Sequence, residues 1–389
     1  MADGGVEQDP ELWWTAAAGV LRRLTTQLGG CRTAAVCVDA TSGTLLLADR
    51  DGQPLGPALM YNDCRARSAA GQIAARAPLA SAARGATSGL AKALHLRTRW
   101  PSGSEVLALH QADWLAGRLA GRFGFSDWNN ALKLGFDSQT EGWPDWLDGL
   151  DLAPLRLPDV VPPGTDIGRL DPVIAAQIGL SVETRVVAGT TDSTAAVIAA
   201  GVSRAGQAVS CLGSTLVIKI LSEQRISDPR RGVYSHRLGD LWLVGGASNS
   251  GGAVLRQFFD EARIAALSPR LRPNRPTGLD YYPLPSRGER FPISDLDLAP
   301  RLAPRPSDDA RFLQGLLEGI AAIEVQGYRL LAELGAPAPT EVVSIGGGAR
   351  NQPWTEIRRR QLGVPVRPAV QEEAAYGAAL LARRGCPPR

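Results

Sequence analysis

Apolar positions open in a helical rhythm. Trp14, Ala17, Ala18, Leu21 and Leu24 recur at near-helical spacing, which predicts an amphipathic helix over residues 12–28 that ends at Gly29 and Gly30. Two short apolar runs follow, 34–38 and 44–48, separated by a Thr-Ser-Gly turn; both read as strands, and Asp51-Gly52 marks a further turn. Helical spacing returns over 66–83 and over 105–119, where Val106, Leu107, His110 and Leu115 could share a face. Residues 143–163, rich in Pro, Trp and Asp, predict irregular structure, and 171–178 a short helix. The second half repeats this grammar. A strand at 184–188, a turn at 189–192 and a helix at 193–200 precede a hairpin, 208–212 with 216–221, across Gly213-Ser214-Thr215. A strand at 241–244, a Pro- and Arg-rich excursion at 268–306 and a long helix at 308–334 lead to a strand at 342–345, three glycines and a helix at 354–362. Strands alternating with helices predict α/β layers, with a boundary near Ala200.

Length makes two domains the natural count: 389 residues, at roughly 100–200 per domain. Gly 43 and Pro 28 together stay under the roughly 25% that signals low complexity, and 44% hydrophobic residues can fill proper cores. A formal charge of +3 gives no global basic field for nucleic acid or an anionic membrane. The basic residues are nearly all arginine. Lys92, Lys133 and Lys219 are the only lysines, and none closes a GxxxxGK[ST] loop, which excludes an ordinary P-loop. Five cysteines without CxxC or His/Cys spacing argue against a disulfide framework or a zinc site. The acidic start MADGGVEQDPELWW lacks the basic and apolar regions of a signal peptide, and no apolar stretch approaches the about 20 residues that span a bilayer, so a cytoplasmic protein is expected.

Three constellations could carry chemistry. Asp192 follows Val187–Thr191 at a strand-to-helix turn, where it could accept the proton of a bound hydroxyl or simply cap the next helix. Gly213, Ser214 and Thr215 could hold phosphate oxygens through backbone N–H groups and hydroxyls, or be ordinary turn residues. Gly346, Gly347 and Gly348 would let backbone approach a base or sugar closely, with Asn351 placed to hydrogen-bond it, or form a structural loop. Neither Gly245-Gly246 nor the 346–348 loop makes the GxGxxG of a dinucleotide-dependent oxidoreductase. The nine tryptophans read as core and surface anchors, Trp128 excepted. The scattered His95, His110 and His236 take no catalytic or metal role, and Arg358-Arg359-Arg360 reads as a solvated helix face.

In order and spacing, the runs GTTDSTAAVIAAGV, GQAVSCLGSTLVIKIL, YSHRLGDLWLVGGASNSGGAVLRQFF, LLEGIAAIEVQGY and SIGGGARNQPWTEIRRRQLGVPV resemble the C-terminal half of the FGGY carbohydrate kinases. Upstream, ALMYNDCRA resembles the family's aromatic-x-Asp-x-Arg segment and FSDWNNALKLGFD its sugar-side segment. Nearly the whole chain is covered, and within the family it resembles the D-ribulose kinases of cyanobacteria and plant plastids.

The resemblance implies a duplicated actin/hexokinase-like, ribonuclease H-like two-domain α/β fold, with a sugar-side domain at 1–200 and a nucleotide-side domain at 201–389. It implies transfer of the ATP γ-phosphoryl group, with Mg²⁺, to a ketopentose. By the same likeness Asp192 is the general base; Asp63, Arg65 and Trp128 lie on the sugar side. Gly213, Ser214 and Thr215 bind phosphate, and Gly346, Gly347, Gly348 and Asn351 bind adenosine. The expected partner is a small sugar, with neither nucleic acid nor membrane; oligomeric state and metal ligands stay open. Family members begin with a DxGT-type phosphate loop between strands. No such element precedes Leu12, and Asp39–Thr44, though superficially similar, reads as part of a later strand. The first domain is therefore expected to be truncated, either because the true start lies upstream or because the chain is a non-catalytic binding homologue.

Overall fold

The computed structural model describes residues 4–29, 32–99 and 105–386; Gly30, expected at the end of the first helix, and Cys31 lie outside the described residues. Two compact units divide the chain, residues 1–199 with 373–389, and residues 200–372. The final helix, Ala374–Gly385, thus belongs with the first unit rather than with the domain that precedes it in sequence. It packs across Asp192–Ala199, where a Cβ on Gly377 would come 1.9 Å from the Ala195 carbonyl oxygen.

In the first unit, Ala35–Ala40 runs parallel to Arg185–Thr191, which pairs on its other side with antiparallel Asp166–Arg169. The strand extends through Gly189–Thr191, three residues expected in a turn. Register shifts between Val187 and Thr190, and at Gly189 a Cβ would lie 1.7 Å from the Val38 carbonyl oxygen, so only glycine allows this approach. Asp39 and Asp192 consequently sit at the carboxyl ends of two neighbouring parallel strands.

A five-stranded sheet completes this unit, in the order Glu7–Gln8, Ala58–Leu59, Leu45–Ala48, Val106–His110, Leu155–Arg156. Here two expectations fail. Residues 105–119, expected as one helix, form the strand Val106–His110 and the helix Gln111–Ala120. Val106 and Ala108 enter one core with Leu45 and Leu47, while Leu107 and Leu109 enter another with Leu46 and Ala48. Burial on both faces removes the polar alternation that would mark a strand. Likewise, 66–83 is not one helix: the α-helix Arg67–Ala74 stops ahead of Pro78, which lacks the N–H to continue the ladder, and a single 3₁₀ turn follows at Ala82–Arg84. The first helix spans Pro10–Gln27, capped by Asp9; it buries Trp13, Trp14 and Ala18 but leaves Leu24 exposed. The Arg118 guanidinium lies over Trp14 and Trp114, 4.8 and 5.2 Å from the ring centroids.

The second unit holds a six-stranded sheet, in the order Tyr234–Leu238, Leu241–Ser248, Leu216–Ser222, Gln207–Leu212, Glu341–Ile345, Val366–Pro368. The first four strands are antiparallel, and the last two join in parallel. Helix Asp309–Glu333 lays Phe312, Leu316, Leu317, Ile320 and Ile323 into the core. Arg358, expected on a solvated face, is fully buried on helix Gln352–Leu362. Its Nε and one terminal nitrogen donate to both Glu324 oxygens at 2.7 and 2.6 Å, and the other nitrogen donates to Ser344 Oγ at 2.6 Å. Arg359 is exposed and pairs with Glu356, whereas half-buried Arg360 pairs with Glu318 at 3.3 Å, so one arginine in three faces solvent. No helix among the described residues is long and apolar enough to cross a membrane.

Candidate active site

Asp192 is the first residue of its helix and half-buried; the Ser193 N–H donates to its Oδ1 at 2.6 Å, and Thr191 and Thr194 share a hydroxyl hydrogen bond at 2.9 Å. Asp192 thus stands at a strand end as the first helical residue, and its carboxylate takes the N–H of the residue that follows. Two groups of opposite sign flank it. Asp39 arrives from the adjacent strand; burial first, then the Asp192 charge, raises its carboxyl above the usual range, and its Oδ2 is buried without a hydrogen-bond partner. Lys133 arrives from the turn Leu132–Leu134; burial lowers its ammonium pKa and the Asp192 charge pulls it back up. Immediately before that turn, Asn129 Nδ2 donates to Thr190 Oγ1 at 3.0 Å, which ties the helix Trp128–Ala131 to the end of the Asp192 strand.

Two of the three lysines converge beneath one turn. Lys133 Nζ donates to the Ser42 carbonyl at 3.2 Å, and Lys92 Nζ to the Gly43 and Met60 carbonyls at 2.6 and 2.7 Å. Burial, then the Lys133 charge, pulls Lys92 down to about 7. Ser42 Oγ, in the same turn, is buried without a partner. Asp127 caps the neighbouring helix through the N–H groups of Asn129 and Asn130, and burial, then Asp113, raises it to about 7. Sequence reading placed Asp39 in a strand and used the three lysines only to exclude a P-loop, so it gave Asp39, Lys92 and Lys133 no part in the site.

The expected sugar-side residues are placed differently. Asp63 is fully buried, and it accepts from the N–H groups of Val6 and Arg65 and from the Arg65 guanidinium, at 2.6 Å for the shortest contact. Burial alone would raise this carboxyl, but those hydrogen bonds hold it below the usual range. Arg65 also donates to Glu7 at 2.7 Å, so the pair is engaged in holding the Glu7–Gln8 strand rather than presented to a ligand. Trp128 is buried with Ala131 and Phe136.

In the second unit the two expected nucleotide segments come together. The Gly213–Thr215 tip docks on the start of helix Gly252–Leu255: the N–H groups of Gly252 and Ala253 donate to the Gly213 and Ser214 carbonyls, and Arg256 donates to Ser214 Oγ at 2.8 Å. Gly346, at φ +85°, lies against Leu212, the residue before Gly213; a Cβ there would meet the Leu212 carbonyl oxygen at 3.1 Å. A Cβ on Gly348 would strike the Trp354 ring at 2.4 Å. At Gly347 the same Cβ would meet nothing within 4 Å, so the loop presents open backbone at its centre. Asn351 is engaged at both ends of its amide: Oδ1 accepts from Trp354 N–H as the helix cap, and Nδ2 donates to Ser268 Oγ at 2.9 Å.

Residues 2–199 match the model of the N-terminal domain of the FGGY family of carbohydrate kinases, and residues 208–386 match that of its C-terminal domain. The chain belongs to this family. It is accordingly a carbohydrate kinase, a phosphotransferase, with the family's actin/hexokinase-like two-domain α/β fold. It is 30% identical to a xylulose kinase of Streptomyces rubiginosus over 96% of this chain and 79% of that one. An autoinducer-2 kinase of Yersinia pestis is 28% identical over 70% of this chain and 56% of its own. Among solved structures, a xylulose kinase from Rhodospirillum rubrum superposes with a TM-score of 0.84 at 25% identity, covering 98% of this chain and 82% of that one.

Proposed function

We propose that the protein phosphorylates a ketopentose with ATP, converting D-ribulose to D-ribulose 5-phosphate. The observation that carries the mechanism is Asp192 at the carboxyl end of a parallel strand, with Lys133 beside it to favour its ionised form. The sugar hydroxyl gives its proton to Asp192 as its oxygen takes the γ-phosphoryl group, and ADP leaves; one base and accurate positioning meet the main needs of this chemistry. Gly213–Thr215 offer backbone donors to the phosphates, and the open face at Gly347 lets the nucleoside lie against backbone. Asp63, Arg65 and Trp128 act on the sugar side by fixing the scaffold around it. Mg²⁺ bound with ATP would neutralise phosphate charge. Asp39, with a buried carboxylate oxygen lacking a partner, suits a hard cation held mainly by phosphates, although the described residues contain no group of three or more metal-ligating side chains.

The xylulose kinases among the relatives favour D-xylulose as the second reading. ADP release with MgATP and D-ribulose, D-xylulose, L-ribulose or glycerol separates the two, with Asp192→Asn as control. Selective turnover of D-ribulose, lost in Asp192→Asn, is expected. Preference for D-xylulose replaces the sugar but keeps the mechanism, whereas full turnover by Asp192→Asn refutes the base assignment.

A further inference from the structure

The second unit contains a cavity of about 510 Å³ to which neither the acceptor chemistry nor the glycine loop assigns a role. Four arginines line it, Arg270, Arg272, Arg275 and Arg311, against a single acidic side chain, Asp308. Arg270 is paired with Asp308 at 3.0 Å, and Arg311 donates to the Thr277 carbonyl at 3.1 Å. The guanidinium groups of Arg272 and Arg275 have no acceptor among the described residues. Asp308 also caps the long helix through the Ala310 N–H, so its charge is shared and the cavity remains strongly positive.

The segment bearing these arginines is fixed in place. Gln314, buried on the long helix, accepts from Arg272 N–H at 2.8 Å and donates to the carbonyls of Arg272 and Arg275 at 3.1 and 2.8 Å. One turn on, Glu318 accepts from the N–H and hydroxyl of Thr277 at 3.0 and 2.6 Å. Two buried polar side chains thus hold an arc of backbone whose own side chains are unpaired cations. Guanidinium groups gathered in this way match the forked oxygens of phosphate, and a fixed frame reduces the ordering cost of binding.

We propose that this cavity binds a ligand carrying two or more phosphate groups. The source is either a free phosphorylated metabolite or the phosphates of a nucleotide. The second has a structural basis, since Arg270 belongs to the turn Ser268–Arg270 and Ser268 accepts the Asn351 amide of the glycine loop.

Titration calorimetry of the full chain with inorganic tripolyphosphate at low salt tests the assignment. The R272S/R275S protein should bind about tenfold more weakly or worse, and R272K/R275K should fall between it and the wild type, because charge is kept and the fork is lost. Both arginines are exposed, so the variants should melt with the wild type. Repeating the titration with saturating ADP identifies the source: undiminished binding marks a separate metabolite, and competition together with a raised ATP KM in R272S/R275S marks the nucleotide. Failure of the wild type to bind, or wild-type affinity in folded R272S/R275S, overturns the proposal.

Discussion

Two adjacent glycines of one loop should respond to substitution in opposite ways. At Gly347 the backbone lies in the one-turn helix Gly347–Arg350, outside the left-handed region, and a Cβ meets nothing within 4 Å. Gly347→Val should therefore cost no more than about 0.5 kcal/mol of stability, the range of a surface change. Gly346 is at φ +85°, and its Cβ would press on the Leu212 backbone at 3.1–3.3 Å, which cannot turn aside as a side chain would. Gly346→Ala should cost about 1–3 kcal/mol from this glycine-only backbone conformation alone (φ +85°, ψ 171°), with the contact adding to it. Activity should follow the reverse order. If the nucleoside lies against open backbone at Gly347, a branched side chain occupies its approach, and the ATP KM should rise about tenfold or more, the loss of about 1.4 kcal/mol or more of binding. Urea unfolding of both variants, with ATP KM from coupled ADP release, makes the comparison. A Gly347→Val protein with wild-type stability and wild-type ATP KM would refute the assignment of this loop to the nucleotide.

Other outcomes follow from the first unit and from the buried ion pair. Removing the Lys133 charge in K133M should move the acid limb of the kcat/KM–pH profile upward, since an ammonium favours the ionised neighbour; K133R should restore it, and D39N should move it downward. An unmoved limb in active K133M would show that Lys133 does not act on the base. The Asp127 carboxyl is raised to about 7 in the folded chain, so the folded state binds the extra proton between the ordinary range near 3.8 and 7. Its stabilising contribution is full below 3.8 and lost as pH rises through 7, with a slope of about 1.4 kcal/mol for each pH step of one across that window. Asp127→Asn should flatten that fall in urea unfolding between about pH 4 and 7. The Asn130 amide can rotate to accept from the new side chain, because its Oδ1 is buried without a partner. Arg358→Met should cost about 3–5 kcal/mol by leaving Glu324 buried and unpaired; adding Glu324→Gln should recover part of it, and a loss under about 1 kcal/mol would contradict the pairing.

What could be read in advance depended on whether one face of an element meets water. The hairpin Gln207–Leu212 with Leu216–Ser222 was legible from two apolar runs and a Gly-Ser-Thr tip, and Asp192 from the strand that ends before it. Val106–His110 was not, because its two faces enter separate cores and its sequence carries no alternation. Lys133 gains its meaning from Asp192 and Ser42, 59 and 91 positions away, so local pattern says nothing of it. Arg358 is a different case. Three arginines in a row suggest a solvated face, but a helix turns about 100° per residue and cannot present all three to water when its other side is buried. Trp354, Ile357 and Arg358 stand at the i, i+3, i+4 spacing of one buried face. On the long helix, Ile320, Ile323, Glu324 and Leu331 also share a buried face, with Glu324 among apolar neighbours. A charge at an apolar position of one helix calls for its opposite at an apolar position of another. Arg358 and Glu324 are out-of-pattern charges of opposite sign, so this buried pair was present in the sequence as two local violations that explain each other.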